Sequence, residues 1–216
     1  MKNSNIKIMP PDNALLLRIA DDLVKHGWSQ QDVFLPQELT LQLAGECRAR
    51  AAQGALTPAG IGRGAAMAVQ EGVRGDRIQW LEAGQSTACD RYLQIMETVR
   101  LALNRTLYLG LEDYECHFAL YPPGAFYQKH LDRFHDDDCR TVSVIVYLND
   151  AWLPEHGGAL RLYPGGLNGQ DAQDVAPLAN RLALFLSADM PHEVLPSTRE
   201  RLSLTGWFRR RQRNGF

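Results

Sequence analysis

The chain has 216 residues, a length for one domain or two, and its 45% apolar and 22% charged content excludes wholesale disorder and fibrous repeats. A net charge of −2 and a pI near 6.3 leave no global field that would draw it to nucleic acid or an anionic membrane. No apolar stretch approaches the roughly 20 residues of a membrane span, the run Ala14–Leu17 is too short for a signal-peptide core, and four scattered cysteines without a CxxC pair read as reduced thiols, so a cytoplasmic chain of one domain over 1–216 is expected.

The first part, 1–111, reads as mainly helical. Asp12 caps a helix whose apolar positions Leu15, Leu16, Ile19, Ala20 and Leu23 recur at helical spacing, with Gly27 closing it. Asp32 to Leu35 reads as a short strand. Pro36 opens a second helix to about Gln53, with Leu39, Leu43, Ala44 and Cys47 on one stripe. A third helix is predicted from about Ser86 to Tyr108, striped by Tyr92, Ile95, Met96, Val99, Leu103 and Leu107. The glycine-rich stretch between the second and third helices, about 54–75, reads either as a surface loop or as a mobile lid over a site.

From Asp113 the pattern switches to period two. Strands are predicted at 113–121, 125–132, 140–149, 158–163, 181–186, 192–195 and 201–210, separated by turn signals such as Pro122-Pro123-Gly124 and Gly157-Gly158. Helices followed by many short strands imply an α+β chain, with a sandwich or jelly-roll barrel over 112–211 backed by the N-terminal helices.

Two histidines sit in contexts that carry chemistry. His130 and Asp132 form an H-x-D pair at a strand end, where residues i and i+2 share a face. His192 follows at the start of another strand. Two histidines and a carboxylate make the facial triad that holds non-haem Fe(II) and leaves positions open. Arg201 lies on the last long strand, where parity sets Arg201, Ser203, Thr205 and Trp207 on one face. A buried Arg needs an anion, and its planar fork suits a carboxylate. Tyr147 shares a strand face with Thr141, Ser143 and Ile145, so its hydroxyl could donate to the same carboxylate. Arg201 paired at the surface with Glu200 or Glu193, and Tyr147 as an ordinary half-buried strand tyrosine, are the competing readings.

In this order the residues resemble the Fe(II)- and 2-oxoglutarate-dependent prolyl hydroxylases, close to the hypoxia-inducible-factor type, from about Arg74 to Trp207. The matching stretches are Arg74-Gly75-Asp76-Arg77-Ile78-Gln79-Trp80, Tyr121-Pro122 through Tyr127 to His130-Leu131-Asp132, Tyr147-Leu148-Asn149 with Trp152, Gly157-Gly158 through Leu160-Arg161, and Pro191-His192-Glu193-Val194 with Arg201 and Trp207. The resemblance implies a double-stranded β-helix (jelly-roll, cupin-like) core. It implies iron on His130, Asp132 and His192, 2-oxoglutarate held by Arg201 and Tyr147 with Tyr121 assisting, and a substrate pocket lined by Trp207, Tyr127 and Arg140. It implies a dioxygenase that uses Fe(II), the cosubstrate 2-oxoglutarate and O2, with ascorbate as reductant, to hydroxylate a prolyl residue in a protein. For bacterial, stand-alone enzymes of this type it suggests elongation factor Tu. A monomer is expected, with no nucleic-acid or membrane partner. One departure is His117, which shares parity with Tyr121 and faces the cavity where an apolar residue is expected.

The remaining motifs read as structural. His135 with Asp136, Asp137 and Asp138 reads as a solvated hairpin, His156 as a loop residue and His26 as a helix-end residue. Arg209, Arg210, Arg211 and Arg213 read as a soluble basic tail, with docking to an acidic partner or RNA as the alternative. The Arg74-Gly75-Asp76 triplet reads as a turn held by an Arg–Asp pair. Two rival functions stay open: an oxygenase acting on another residue or on a free amino acid, and a catalytically silent cupin-like binding protein.

Overall fold

The computed structural model describes residues 11–60, 72–132, 139–167 and 171–211. Among these residues, three α-helices pack on a two-sheet sandwich. Helix α1 (Asn13–His26) starts where the Asp12 carboxylate accepts the Ala14 N–H and ends at Gly27, whose φ of +75° lets its N–H reach the Leu23 carbonyl. Its predicted stripe, Leu15 to Leu23, is buried. Helix α2 (Gln37–Ala52) buries Leu39, Leu43, Ala44 and Cys47. Helix α3 (Thr87–Leu107) is capped by the Ser86 hydroxyl, which accepts the Cys89 N–H, and stops at Tyr108 in the left-handed region. None of these helices is long and apolar enough to cross a membrane.

The strands are β1 (Trp28–Gln31), β2 (Thr57–Pro58), β3 (Arg77–Trp80), β4 (Leu111–Tyr121), β5 (Tyr127–His130), β6 (Arg140–Tyr147), β7 (Leu160–Leu162), β8 (Gln173–Val175), β9 (Leu182–Leu186), β10 (His192–Val194) and β11 (Arg201–Arg210). They form a seven-stranded sheet in the order β1-β9-β6-β11-β4-β3-β2 and a four-stranded sheet in the order β5-β10-β7-β8, with every pairing antiparallel. This is the double-stranded β-helix expected from the sequence.

Strand parity separates two cores. Val142, Val144 and Val146 of β6, Leu202, Leu204 and Phe208 of β11, and Cys116, Phe118 and Leu120 of β4 pack with the helices. Ala119 and Tyr121, Ile145 and Tyr147, and Ala183 and Phe185 face the other way, onto Leu160, Leu162 and Val194 of the smaller sheet. The first cluster anchors the large sheet; the second forms the sandwich interior where the site lies.

The smaller sheet carries a charged rung on one face. Glu193 pairs in register with Arg161, and Arg161 with Asp174, which its guanidinium grips at 2.7 and 2.8 Å. The Tyr163 hydroxyl donates to Glu193, and the Lys129 ammonium stands 3.6 Å from the Tyr163 ring centroid.

Several expectations are corrected. The strand predicted at Asp32–Leu35 lies earlier, at Trp28–Gln31, paired with β9. Val33 has φ +58°, which breaks the extended backbone, and the Leu35 main chain is held instead by the Asn180 side chain through two 2.5 Å hydrogen bonds. The short strands β2, β3 and β8 were not expected, because two to four residues show no readable alternation. Strand β5 is shorter than the predicted 125–132, starting only at Tyr127 after the turn at Gly124. Arg209 and Arg210 are not a tail but the end of β11, where Arg209 forks Asp113 at 2.8 and 2.7 Å. The His135–Asp138 hairpin, Arg213 and the stretch 61–71 of the proposed lid lie outside the described residues.

Candidate active site

His130 closes β5 and His192 opens β10, and the two are direct register partners, so pairing of the strands puts both rings at one end of the sheet. Asp132 follows two residues past His130. Its Oδ1 lies 3.4 Å from His130 Nε2 and its Oδ2 3.6 Å from His192 Nε2, and the three ligand atoms lie within 4.8 Å of one another.

Both imidazoles are oriented from behind. His130 Nδ1 stands 2.7 Å from the Gln128 carbonyl and His192 Nδ1 3.0 Å from the Met190 carbonyl. A carbonyl only accepts, so each Nδ1 carries the proton and each Nε2 presents a lone pair. Three electron-pair donors therefore converge with no proton of their own between them, the donor set a divalent cation requires. Burial pushes the His192 imidazole down to about 4, which keeps its Nε2 free of a proton near neutral pH. For Asp132, burial opposes ionisation, but the two imidazoles and a hydrogen bond from Ser143 override it and hold the carboxyl well below its usual range.

These groups line a cavity of about 440 Å³ that also contains Arg201, Tyr121, Tyr127, Arg140 and Trp207. Arg201 is 2% exposed and is not at the surface with Glu200 or Glu193. Its Nε donates to the Gly158 carbonyl at 2.9 Å, and its guanidinium lies 5.0 Å from the ring centroids of both Tyr121 and Tyr147. Among the described residues no carboxylate pairs with it. Tyr147 is fully buried rather than half-buried, and among the described residues its hydroxyl has no hydrogen-bond partner. Burial pushes the Tyr147 hydroxyl up, against the opposing pull of Arg201, so it stays a proton donor. A buried guanidinium and an unsatisfied hydroxyl side by side form a ready-made carboxylate receptor.

The rest of the wall is aromatic and charged. Tyr127 stacks on His130 with centroids 3.7 Å apart, and the Arg74 guanidinium lies 4.4 Å from the centroid of the same Tyr127 ring. Arg74 grips Asp76 at 2.7 and 2.6 Å, the expected Arg–Asp pair. The Arg140 guanidinium lies 3.5 Å from the Trp207 ring centroid and its Nε donates to Glu115 at 2.9 Å. His117 is 3% exposed and meets Trp80 edge to face at 5.1 Å, which puts it in the cavity wall as parity suggested.

All nine residues selected from the sequence line this cavity or, for Tyr147, stand directly behind it against Arg201. His156 stays apart: its Nδ1 accepts the Leu153 N–H in a single turn of 3₁₀ helix (Pro154–His156). Sequence reasoning missed Ser143 and Ser187, whose hydroxyls back Asp132, and Trp80 as a wall residue. A signal for Ser143 existed, since it is a polar residue on the inward face of an otherwise valine-rich strand.

Residues 116–209 match the 2OG-Fe(II) oxygenase superfamily. The chain is 32% identical over 215 residues to Egl nine homolog 1 of Rattus norvegicus, covering 95% of this chain and 62% of the relative. It is 35% identical over 144 residues to prolyl hydroxylase EGLN3 of Homo sapiens, covering 63% of this chain and 59% of the relative. The chain thus spans about three-fifths of the length of these curated relatives. Among solved structures, a prolyl-4-hydroxylase from Pseudomonas putida superposes with a TM-score of 0.82 at 57% identity, covering 91% of this chain and 99% of that one. A prolyl hydroxylase from Trichoplax adhaerens, solved with a peptide fragment of the hypoxia inducible factor oxygen degradation domain, superposes with a TM-score of 0.80 at 26% identity, covering 91% and 89%.

Proposed function

This chain belongs to the 2OG-Fe(II) oxygenase superfamily, in its prolyl hydroxylase branch, and from that premise we propose that it hydroxylates a prolyl residue of a protein. The observation that carries the reading is one cavity holding both the three converging lone-pair donors and a buried guanidinium that meets no carboxylate among the described residues.

The residues fit the groups. His130 Nε2, the Asp132 carboxylate and His192 Nε2 would hold Fe(II), and Arg201 with the Tyr147 hydroxyl would hold the distal carboxylate of 2-oxoglutarate, with Tyr121 flanking it. Iron with 2-oxoglutarate and O2 supplies an oxidative decarboxylation to succinate and CO2 that drives insertion of oxygen into a C–H bond. The protein's own part is placement. The Gly158 carbonyl fixes Arg201 Nε, which leaves the outer guanidinium nitrogens for the cosubstrate. The Gln128 and Met190 carbonyls keep both ligand imidazoles in the tautomer that binds metal. Burial of Arg201, Tyr147 and Asp132 strengthens each of these interactions by excluding water.

Trp207, Tyr127 and Arg140 form the walls that would receive the peptide. A prolyl ring is apolar and has no N–H to satisfy, so aromatic faces suit it. Proline also favours extended or turn segments, which points to an exposed loop of a folded partner. Elongation factor Tu is the first partner to test, in a cytoplasmic, monomeric enzyme with ascorbate as the reductant. The experiment is incubation of the protein with Fe(II), O2 and elongation factor Tu, with and without 2-oxoglutarate, followed by peptide mass spectrometry. A 2-oxoglutarate-dependent gain of one oxygen on a proline supports the reading. No gain, with 2-oxoglutarate still binding the metal-loaded protein, discards this partner and keeps the oxygenase. No gain and no cosubstrate binding leaves a silent binding protein.

A further inference from the structure

Asp132 is the one triad member that comes from outside the strand pair β5–β10, and it needs its own brace. That brace comes from the opposite sheet. Ser143, 1% exposed on β6, sets its hydroxyl 2.6 Å from Asp132 Oδ2. Ser187, fully buried just past β9, sets its hydroxyl 2.9 Å from that of Ser143.

The direction of these bonds follows from counting protons. An ionised carboxylate only accepts, so the Ser143 proton goes to Asp132. A hydroxyl has one proton, so the bond between the serines is donated by Ser187. The two hydroxyls form an ordered chain, Ser187 to Ser143 to Asp132, with both protons directed at the carboxylate. Its other oxygen, Oδ1, stands 3.4 Å from the Nε2 lone pair of His130.

We propose that Ser143, oriented by Ser187, is a positioning residue that occupies one oxygen of Asp132, fixes the carboxylate plane and so keeps Asp132 a one-oxygen ligand. A carboxylate free to turn would offer both oxygens to a cation and take a position that the cosubstrate needs. The inference rests on the metal-triad reading above.

The test is calorimetric titration of Mn(II) into the metal-free full chain, followed by 2-oxoglutarate into the Mn(II)-loaded chain. Groups that orient metal ligands typically carry about 10–100-fold in affinity, so Ser143→Ala is expected to bind Mn(II) roughly tenfold more weakly. It also loses 2-oxoglutarate affinity beyond that. Ser143→Thr, which keeps the hydroxyl, stays within about threefold of wild type on the same scale. Ser187→Ala shows a smaller loss of the same sign. Wild-type affinity in Ser143→Ala, or a Thr variant as weak as the Ala variant, overturns the proposal. Should Ser143→Ala not fold by circular dichroism, Ser187→Ala decides, because it removes the orienting hydroxyl without touching the ligand; wild-type binding there overturns the proposal as well. His130→Ala runs as a control: if it binds Mn(II) like wild type, the triad reading fails instead.

Discussion

Arg201 and Tyr121 are register partners on neighbouring strands, and the guanidinium of the first lies 5.0 Å from the ring centroid of the second. With Tyr147 at the same distance, the cation sits beside two aromatic rings, and its Nε donates to the Gly158 carbonyl. The rings and the carbonyl compensate part of the cost of burying the charge, and an anionic ligand would complete it.

Replacing Arg201 by Met therefore separates stability from binding. The expected result is a ligand-free protein of equal or greater stability, by up to ~1–2 kcal/mol in chemical denaturation, since a buried charge is exchanged for an apolar side chain. The same variant loses 2-oxoglutarate binding while Mn(II) affinity is kept. A large loss of stability in Arg201→Met would show that the cation is already neutralised within the fold.

Metal loading is expected to raise the melting temperature. Mn(II) at about 100 times its dissociation constant stabilises the folded state by roughly 2.7 kcal/mol, and a chelator reverses the shift. Asp132→Ala and His130→Ala show no shift and no turnover. The check is thermal denaturation of wild type and both variants with and without the ion.

His117 predicts an acid limb in the stability profile. Burial pushes its imidazole from 6.5 down to about 4. Asp76 opposes that shift, Arg74 and Arg140 add to it, and Glu115 also lines the cavity, two residues away. Between pH 6.5 and 4 the unfolded chain takes up a proton that the folded chain refuses, so stability is full above pH 6.5 and falls as pH drops towards 4. At 1.36 kcal/mol per unit the loss is about 3 kcal/mol. Denaturation at a series of pH values should give a shallower slope over this window in His117→Phe than in wild type. Parallel slopes would show that His117 is protonated in the folded state.

Gly158→Ala tests the floor beneath Arg201. Gly158 has φ +70°, and an added Cβ would meet Ser197 Cβ at 2.9 Å, Trp152 at 3.2 Å and Arg201 Cδ at 3.4 Å. The strain of that backbone region is about 1–3 kcal/mol for a side-chain-bearing residue. Because the Gly158 carbonyl also holds Arg201 Nε, the variant is expected to lose 2-oxoglutarate affinity as well as stability. Denaturation and cosubstrate titration together check both effects; full affinity in a destabilised variant would detach Gly158 from the receptor.

Much of this was legible in residue order. The helical stripes were readable because each helix buries one face, and the parity of β11 correctly set Arg201, Thr205 and Trp207 together on the cavity side. The His130–Asp132 and Arg74–Asp76 pairs were readable because each lies two residues apart, and His192 joined the first through the residue types that a metal triad needs. What was hidden depends on contacts distant along the chain. Strand β1 exists because β9 offers it an edge, some 150 residues later, and Asp32–Leu35 is kept irregular by Asn180. Ser143 gains its role only when Asp132 folds over it, and Ser187 only when β9 lies beside β6. Arg209 looks like a tail residue until β4 brings Asp113 and Glu115 alongside.

The triad straddles the seam of the sandwich. His130 and His192 belong to the four-stranded sheet, while Asp132 is bonded to Ser143 of the seven-stranded one. An ion held by all three is therefore a rivet between layers whose facing residues are otherwise joined mainly by apolar packing. The four short strands add their mutual hydrogen bonds and a charged rung to that packing, and short strands of this kind are the layer expected to open first when no ion is bound. Metal binding should then slow amide exchange most in β5 and β10 and least in α1, which makes the iron centre a clasp on the architecture as well as the seat of its chemistry.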